Sequence, residues 1–212
     1  MIIIGLTGSI GMGKSETAKM FAAHGIPVFD ADAVVRTAQG KSGESLPLIE
    51  EAFPGTVADG VLDRAALGAQ VFGNEAALKK LERIMHPIVQ KARKKFFELV
   101  DKNNTKIVIL DVPLLFEAGG EKGCDVTVVV SAPTEVQQAR VLSRTHMTQE
   151  KFEDIIARQM PDSEKRERAD YVIETDQGLE AADRAVSNII KDISSKNPHA
   201  FEGFWRERLQ DA

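Results

Sequence analysis

The chain has 212 residues, of which 43% are hydrophobic and 28% charged, an ordinary balance for a globular protein with a full core. Its net charge of −5 argues against nucleic acid as a main partner, because nonspecific binding to nucleic acid depends on many lysines and arginines. Cys124 is the only cysteine, so an internal disulfide is excluded, and we expect a buried, unreactive thiol. No apolar run approaches the roughly 18 residues of a membrane span. We therefore expect a cytoplasmic protein without a membrane partner.

The first predicted strand runs directly into a glycine-rich turn. Residues 1–6 (MIIIGL) are apolar and rich in β-branched side chains, which is typical of a strand buried on both faces. Residues 8–15 (GSIGMGKS) match the pattern G-x-x-x-x-G-K-[ST]. Residues 14–24 have the pattern of a helix that stops at Gly25. This order of strand, turn and helix predicts a phosphate-binding loop.

Each residue type in this loop has a physical task. The glycines allow consecutive backbone N–H groups to converge on an anion, and the helix N-terminus adds partial positive charge. Lys14 is expected to reach the β- and γ-phosphates, and Ser15 to offer its hydroxyl to Mg²⁺. The predicted nucleotide contacts in the loop are Gly8, Ser9, Ile10, Gly11, Met12, Gly13, Lys14, Ser15 and Glu16.

A second short strand is predicted at residues 26–30, and it leads into Asp32. Residues 33–100 are mostly helical in pattern, with turn signals at 40–43, 54–55, 59–60 and 73–74. No internal repeat or low-complexity linker is visible, so we interpret this stretch as an insertion into one domain.

Polar residues and one proline mark helix boundaries inside the insertion. Asp63 and Asn74 are placed to cap the helices that follow them. The residue before a proline is biased away from the α conformation, so a break between helices is expected at His86 and Pro87. His86 is also the only histidine in a setting that suggests function, with a turn or core histidine as the alternative.

The rest of the chain alternates between strands and helices. Strands are predicted at 106–111, 125–131 and 170–174, and helices at 134–143, within the charged stretch 144–168, and at 179–194. This alternation predicts an α/β fold with a parallel sheet of five strands. The tail at 197–212 contains Phe201, Phe204 and Trp205, which could pack on the body of the protein or form an interface.

Three aspartates, Asp30, Asp32 and Asp111, lie at or just after the ends of predicted strands. We expect them at one edge of the sheet, because ligands of parallel sheets bind outside the carboxyl ends of the strands. Phosphoryl transfer needs a phosphate cradle, a metal, cationic groups and a group that accepts a proton. Asp111 is expected beside the metal together with Ser15, with a turn or capping aspartate as the alternative. Asp32 is the candidate base, although either Asp30 or Asp32 could simply cap the next helix.

Arg140 and Arg144 supply candidate positive charges. They are four residues apart on one helix face, so both could turn toward the phosphates, with solvated arginines as the alternative. We predict that Asp32, Lys14 and Arg140 are catalytic and that Arg144 contacts the nucleotide.

Taken together, these motifs resemble those of the dephospho-coenzyme A kinases, over the chain up to about residue 190. The loop alone indicates only a nucleotide binder, whereas its combination with the other motifs at these separations is highly specific. The matching stretches are residues 5–15, Asp30-Ala31-Asp32 with Arg36, His86-Pro87, residues 111–117 (DVPLLFE), the helix with Gln138, Arg140 and Arg144, Gln159, and Ala169-Asp170.

The resemblance implies transfer of the ATP γ-phosphate to the ribose 3′-hydroxyl of dephospho-coenzyme A, the last step of coenzyme A synthesis. It implies a three-layer P-loop kinase fold that uses ATP and Mg²⁺. We expect a monomer or weak homo-oligomer. The implied regions are a nucleotide-binding core (about 1–30, 101–140 and 169–195), a helical acceptor-binding insertion (about 31–100) and a lid (about 141–168). The implied acceptor contacts are Asp32, Arg36, His86, Leu114, Leu115, Phe116 and Glu117.

Several positions depart from the family pattern. Ser9 stands where a second glycine is usual, Met12 where a small residue is common, and Glu16 where threonine is usual. Because Ser15 is retained, metal binding should survive, while Glu16 could slightly weaken nucleotide affinity or point outward. Residues 174–178 differ from the usual Asn-x-Gly near the adenine, so the base contacts stay open.

The nearest rival function is that of another small P-loop kinase, acting on a nucleoside or nucleotide. A GTP-dependent switch would need the guanine-selecting tetrapeptide Asn-Lys-x-Asp, which is absent from the sequence.

Overall fold

The structure is a computed structural model, and it describes residues 1–145 and 147–210. The chain forms two compact units. Among the described residues, the first consists of residues 1–29, 100–145 and 147–210, and the second of Asp30–Leu99. Within the described residues, no helix is long and apolar enough to cross a membrane.

The secondary structure elements follow in chain order. The strands are β1 (Ile2–Thr7), β2 (Val28–Asp30), β3 (Val57–Ala58), β4 (Val61–Leu62), β5 (Ile107–Asp111), β6 (Val126–Ser131) and β7 (Tyr171–Glu174). The α-helices are α1 (Lys14–Ala23), α2 (Ala31–Ala38), α3 (Leu46–Ala52), α4 (Arg64–Val71), α5 (Glu75–Lys102), α6 (Thr134–Leu142), α7 (Gln149–Ile156), α8 (Asp162–Arg168), α9 (Leu179–Ile193) and α10 (Arg206–Gln210). A 3₁₀ turn covers Gly120–Gly123, and a π-helical turn covers Phe201–Trp205.

The first unit is built on a five-stranded sheet with the strand order β2-β5-β1-β6-β7. β1 pairs in parallel with both β5 and β6, and β6 pairs in parallel with β7. All six residues of β1 and all six of β6 are buried, as expected for central strands covered on both faces. The predicted α/β fold with a five-stranded parallel sheet is confirmed.

Helix α9 closes the core of this unit. Its buried residues, Ala182, Val186, Ile189 and Ile193, recur at helical spacing. They join the core cluster that contains β1 and β6 side chains, together with Phe21 of α1. Helices α1 and α9 therefore share one apolar core with the central strands.

The tail packs on the body of the first unit. Phe201 and Trp205 are buried, and the indole Nε1 of Trp205 donates a 2.7 Å hydrogen bond to the carbonyl of Gly123. Asp125 Oδ1 accepts from the backbone N–H groups of His199 and Ala200 at 2.6 and 2.8 Å. Of the two alternatives for the tail, packing on the body is the one observed, while residues 211–212 lie outside the described residues.

The second unit contains helices α2, α3 and α4, most of α5, and a small hairpin formed by β3 and β4. The predicted N-caps are confirmed, since Asp63 Oδ1 accepts from the N–H groups of Ala65 and Ala66, and Asn74 Oδ1 accepts from Ala77.

The sequence prediction missed the β3–β4 hairpin. It turns at Asp59 and Gly60, both of which have positive φ (51° and 70°), as a type I′ turn requires. An Asp-Gly pair between two short apolar pairs was the available signal, but two-residue strands are too short to show the alternation of a longer strand.

The expected break at His86 and Pro87 is wrong, because α5 continues through Pro87 from Glu75 to Lys102. A proline inside a helix removes one backbone hydrogen bond, and the conformational bias on its predecessor is a preference only. Met85 belongs to the core of the second unit, and Ile84 and Ile88 pack against it. Packing on both sides of the proline offsets the lost bond.

Candidate functional site

The glycine-rich loop connects β1 to α1 and keeps its glycines for steric reasons. Gly13 precedes α1 with φ 94°, in the left-handed region that favours glycine. A Cβ on Gly8 would lie 2.3 Å from Val130 Cγ2 of β6. The loop therefore lies directly against the neighbouring strand.

Four N–H groups of the loop are available to a ligand. Among the residues that the structure describes, no acceptor pairs with the backbone N–H of Gly11, Gly13, Lys14 or Ser15. Two of these groups open α1, where the helix dipole adds positive charge. This arrangement is an anion-binding cradle of the kind that holds phosphates.

The carbonyl groups of the same loop are held by side chains from elsewhere. Gln137 Nε2 donates to the carbonyl of Ile10 at 2.8 Å, and the Thr175 hydroxyl donates to the carbonyl of Met12 at 2.8 Å. The N–H of Ile10 donates to Gln159 Oε1 at 3.1 Å. The loop is thus fixed by residues of α6, of the segment before α8, and of the segment after β7.

Lys14 forms an ion pair with Asp111. The side chain of Asp111 is only 4% exposed and that of Lys14 15%. Asp111 is the last residue of β5, and its register partner in β1 is Leu6, so the parallel pairing brings it to the edge that carries the loop. Ser15 is exposed in the first turn of α1.

Two departures from the family pattern have structural explanations. Met12 is buried, and its Sδ accepts the N–H of Ala132 at 3.1 Å. Glu16 points outward and pairs with Lys19 at 2.6 Å. Of the two alternatives for Glu16, the outward orientation is the one observed.

Arg140 is bound to the loop and to the segment after β7. Its Nη1 donates to Thr175 Oγ1 at 2.9 Å and, weakly, to the carbonyl of Gly11 at 3.4 Å, while Nη2 donates to the carbonyl of Thr175 at 2.8 Å. Arg144, just after α6, is exposed. The two arginines therefore differ, because Arg140 is held by hydrogen bonds whereas the side chain of Arg144 is exposed.

The segment after β5 contains both buried and accessible side chains. Leu115 and Phe116, expected to contact an acceptor, are 1% and 5% exposed, whereas Leu114 is 43% exposed. Leu115 packs against Gly5 of β1, and the guanidinium of Arg168 lies 4.7 Å from the centre of the Phe116 ring. The buried side chains of Leu115 and Phe116 hold the segment in place and are not exposed to contact an acceptor.

Glu117 is paired within the first unit. Its Oε1 lies 2.9 Å from Lys165 Nζ and accepts the N–H of Met160 at 2.8 Å. Burial alone would raise the pKa of Glu117, but the ion pair with Lys165 and the hydrogen bond from Met160 outweigh it and lower the pKa. The carboxylate is therefore held in its charged form.

Asp32 lies in the first turn of α2 and not at the end of a strand, since β2 ends at Asp30. Asp30 is the N-cap, with its Oδ1 accepting from Ala33 at 2.8 Å, and its Oδ2 lies 3.1 Å from Arg36 Nη2. Asp32 is exposed, and within the described part of the chain its carboxylate has no hydrogen-bond or ion-pair partner. Capping is thus done by Asp30 and leaves Asp32 free.

The second unit also contains a cavity of about 540 Å³ between α2 and α5. Its lining is mainly apolar and includes Val35, Leu81 and Val89, with His86 and Arg93 among the polar residues. His86 is exposed, and burial lowers the pKa of Arg93. The cavity combines an apolar wall with groups that can bind a polar or anionic ligand.

The predicted site residues are divided between the two units. The loop, Asp111, residues 114–117, Arg140 and Arg144 belong to the first, and Asp32, Arg36 and His86 to the second. Gln137 and Thr175 also bind the loop, although neither was predicted from the sequence. Gln137 is four residues before buried Val141, so its position on the inward face of α6 was the only available signal.

Comparison with known proteins identifies the family. The family model described as dephospho-CoA kinase matches residues 2–181. Proteins named dephospho-CoA kinase from Mesorhizobium japonicum and Bradyrhizobium diazoefficiens are 54% and 52% identical to this chain over 193 residues, or 91% of this chain and 97% and 96% of theirs.

Solved structures show the same fold. A protein from Thermus thermophilus has a TM-score of 0.76 and 37% identity, with 91% of this chain and 97% of that chain covered. A shikimate kinase from Acinetobacter baumannii is similar in fold alone, with a TM-score of 0.51 and 19% identity over 92% of this chain and 95% of that one. By its sequence and its phosphate-binding loop, the chain belongs to the dephospho-CoA kinase family.

Proposed function

We propose that the protein transfers the γ-phosphate of ATP to the ribose 3′-hydroxyl of dephospho-CoA and releases CoA and ADP, the last step of CoA synthesis. The observation that carries this proposal is the cradle beside the Lys14–Asp111 pair, with four N–H groups for which the described residues supply no acceptor. Its occurrence in a chain 54% identical to a dephospho-CoA kinase supports the choice of acceptor.

The cradle and Lys14 act on the nucleotide. In phosphoryl transfer the protein mainly positions the reactants and stabilises charge on the phosphate oxygens. The N–H groups of Gly11, Gly13 and Ser15 bind these oxygens, and Lys14 adds a full positive charge. Arg144, which is exposed, reaches toward the phosphates from the proposed lid, about residues 141–168, of which residue 146 lies outside the described part.

Ser15 and Asp111 are the proposed Mg²⁺ ligands. A hydroxyl and a carboxylate are hard oxygen donors that suit Mg²⁺, which typically takes only one or two protein ligands beside phosphate oxygens. No cluster of three or more metal-ligating side chains occurs in residues 1–145 and 147–210, so a nucleotide-borne ion fits better than a resident one. Mg²⁺ bound there neutralises charge on the phosphates.

Asp32 is the proposed general base. Its carboxylate is exposed and unpaired among the described residues, whereas Asp30 is occupied as helix cap and partner of Arg36. A free carboxylate is able to take the proton of an attacking hydroxyl. Asp32 thus does the chemistry on the acceptor, and Asp30 orients the start of α2.

The second unit, Asp30–Leu99, is proposed as the acceptor-binding insertion. Arg36 and His86 supply polar contacts, and the cavity beside His86 offers an apolar surface to the acceptor. Leu114 and Glu117 contribute from the segment after β5, where buried Leu115 and Phe116 keep the backbone in place.

The test is ADP release from Mg·ATP with a series of acceptors. We expect turnover with dephospho-CoA and little with adenosine or nucleoside monophosphates. Phosphorus NMR of the product should locate the new phosphate on the 3′-oxygen. Comparable rates with all acceptors, or preference for a nucleoside or nucleotide, would reject the assignment in favour of the rival kinase activity.

A further inference from the structure

We infer that Thr175 is a positioning residue for the phosphate loop, because its hydroxyl fixes the Met12–Gly13 peptide with the N–H of Gly13 facing the bound polyphosphate. The inference rests on the proposed function only in that the loop must bind a polyphosphate. The acceptor plays no part in it.

The hydroxyl of Thr175 is the centre of a hydrogen-bond network. It lies 2.8 Å from the carbonyl of Met12 and 3.2 Å from that of Ser131, and it accepts from Arg140 Nη1 at 2.9 Å. A hydroxyl has one proton to donate, and the shorter distance assigns it to Met12. The bond from the charged guanidinium polarises the hydroxyl and strengthens it as a donor.

The backbone of Thr175 is fixed as well. It is the first residue after β7, and its N–H donates to the carbonyl of Ser131 at 2.9 Å. Its own carbonyl accepts from Arg140 Nη2 at 2.8 Å. With both backbone groups held, the side chain has a defined position from which to bind the loop.

The orientation of the peptide follows from its planarity. The described residues contain no cis peptide bond, and in a trans peptide the C=O and N–H point in opposite directions. The carbonyl of Met12 points at Thr175, so the N–H of Gly13 points away from Thr175 and stays unpaired among the described residues. Rotation of this peptide would bring a carbonyl oxygen into the cradle, where it would repel phosphate.

The Met12–Gly13 peptide is able to rotate because residue 13 is a glycine. Its φ of 94° is accessible to glycine, which also populates other regions at little cost. A Cβ on Gly13 would lie 3.2 Å from the Cβ, Cγ2 and Oγ1 atoms of Thr175, so the threonine packs directly over the glycine. A side chain outside the loop therefore supplies the restraint that glycine lacks.

The experiment measures binding of two ligands by isothermal titration calorimetry. Binding of inorganic tripolyphosphate depends on the cradle alone. Binding of Mg·ATP depends on the cradle and on contacts with the adenine together. For Thr175→Val, which removes the hydroxyl and keeps the shape, we expect about tenfold weaker binding of both ligands, corresponding to one lost hydrogen bond. Thr175→Ser restores the hydroxyl and should bind both within about twofold of the wild type.

Thr56→Val is the matched control. Thr56 is buried in the second unit, where its hydroxyl donates to the carbonyl of Phe53 at 2.7 Å. This variant therefore also removes a threonine hydroxyl that donates to a backbone carbonyl, but it should leave both affinities unchanged. Thermal melts verify folding. If Thr175→Val does not fold, Thr175→Ala carries the same expectation.

Three results would overturn the inference. Weaker ATP binding with unchanged tripolyphosphate binding would show that Thr175 acts on the adenine and not on the phosphate loop. A serine variant as weak as the valine variant would show that the hydroxyl does not restore binding. Full affinity in Thr175→Val would show that the hydroxyl is not needed. Failure of the wild-type protein to phosphorylate dephospho-CoA would reject the proposed acceptor but leave these binding results intact.

Discussion

The ammonium group of Lys165 is fully buried and lies 2.9 Å from the carboxylate of Glu117. Lys165 belongs to α8 and Glu117 to the segment after β5, so the ion pair joins two segments that are distant in the sequence. The N–H of Met160 donates to the same carboxylate. This ion pair thus connects α8, at the C-terminal end of the proposed lid, to the segment after β5 that carries the proposed acceptor contacts.

Glu117→Gln should lower the free energy of unfolding by about 3 kcal/mol, because it leaves a buried ammonium without its counter-charge. The double variant Glu117→Gln/Lys165→Met should recover most of this loss, since neither residue of the pair is then charged. Urea unfolding measures both. The exposed pair Glu75–Lys79 is the control, and its variants should change little. A double variant as unstable as the single one would contradict the pairing.

The same pair predicts a loss of stability in acid. The pKa of Glu117 is lowered in the folded protein, so its stabilising contribution is present above the ordinary glutamate pKa and is lost as the pH falls through the folded-state value. The difference in stability between wild type and Glu117→Gln should begin to narrow below about pH 4.3 and should close only when the pH falls below the lower folded-state pKa. An unfolding series between pH 7 and 3 measures this, and a gap that stays constant over the range would contradict it.

Lys14→Ala should abolish turnover through lost charge stabilisation and should also lower the melting temperature, because Asp111 is left buried without Lys14. Adding Asp111→Asn should restore much of the stability but none of the activity. Lys19→Ala is the control, since Lys19 is exposed on the same helix. Activity in Lys14→Ala would count against the loop assignment.

Asp32→Asn should reduce kcat by about 10²–10⁴ and leave ATP affinity near the wild-type value. Asp59→Asn is the matched control, because Asp59 is an exposed aspartate of the second unit and asparagine tolerates its positive φ. Steady-state kinetics and ATP titration separate the two effects. An unimpaired Asp32→Asn enzyme would exclude Asp32 as the base.

Tyr171 is the only tyrosine, so its phenolate absorbance can be followed alone. The hydrogen bond to Asp192 is the main cause that raises the pKa of Tyr171 to about 12. Because the folded-state value is raised, the contribution of Tyr171 to stability is present below pH 10 and is lost as the pH rises toward 12. A titration at about 295 nm should give this midpoint, and Asp192→Asn should lower it. A midpoint near 10 in the wild type would contradict it.

Short-range patterns in the sequence determined most of the first unit. Uninterrupted apolar stretches predicted the buried strands, and G-x-x-x-x-G-K-S predicted the loop between β1 and α1, because both depend on neighbouring residues. The misplaced break at Pro87 and the missed β3–β4 hairpin have the opposite origin. Packing around Met85 kept α5 continuous, and no local preference reports such packing.

What the sequence by itself determined is the chemistry available: glycines that expose N–H groups, a lysine, a serine and aspartates that follow strands. Only the tertiary structure decided which of these groups are free. It showed that Asp30 is used as a helix cap, that Glu117 is paired with Lys165, and that Thr175 and Arg140 hold the loop. Apart from the local cap at Asp30, these contacts join residues that are 35 to 163 positions apart. Such contacts depend on how the chain folds back, and local sequence does not encode that.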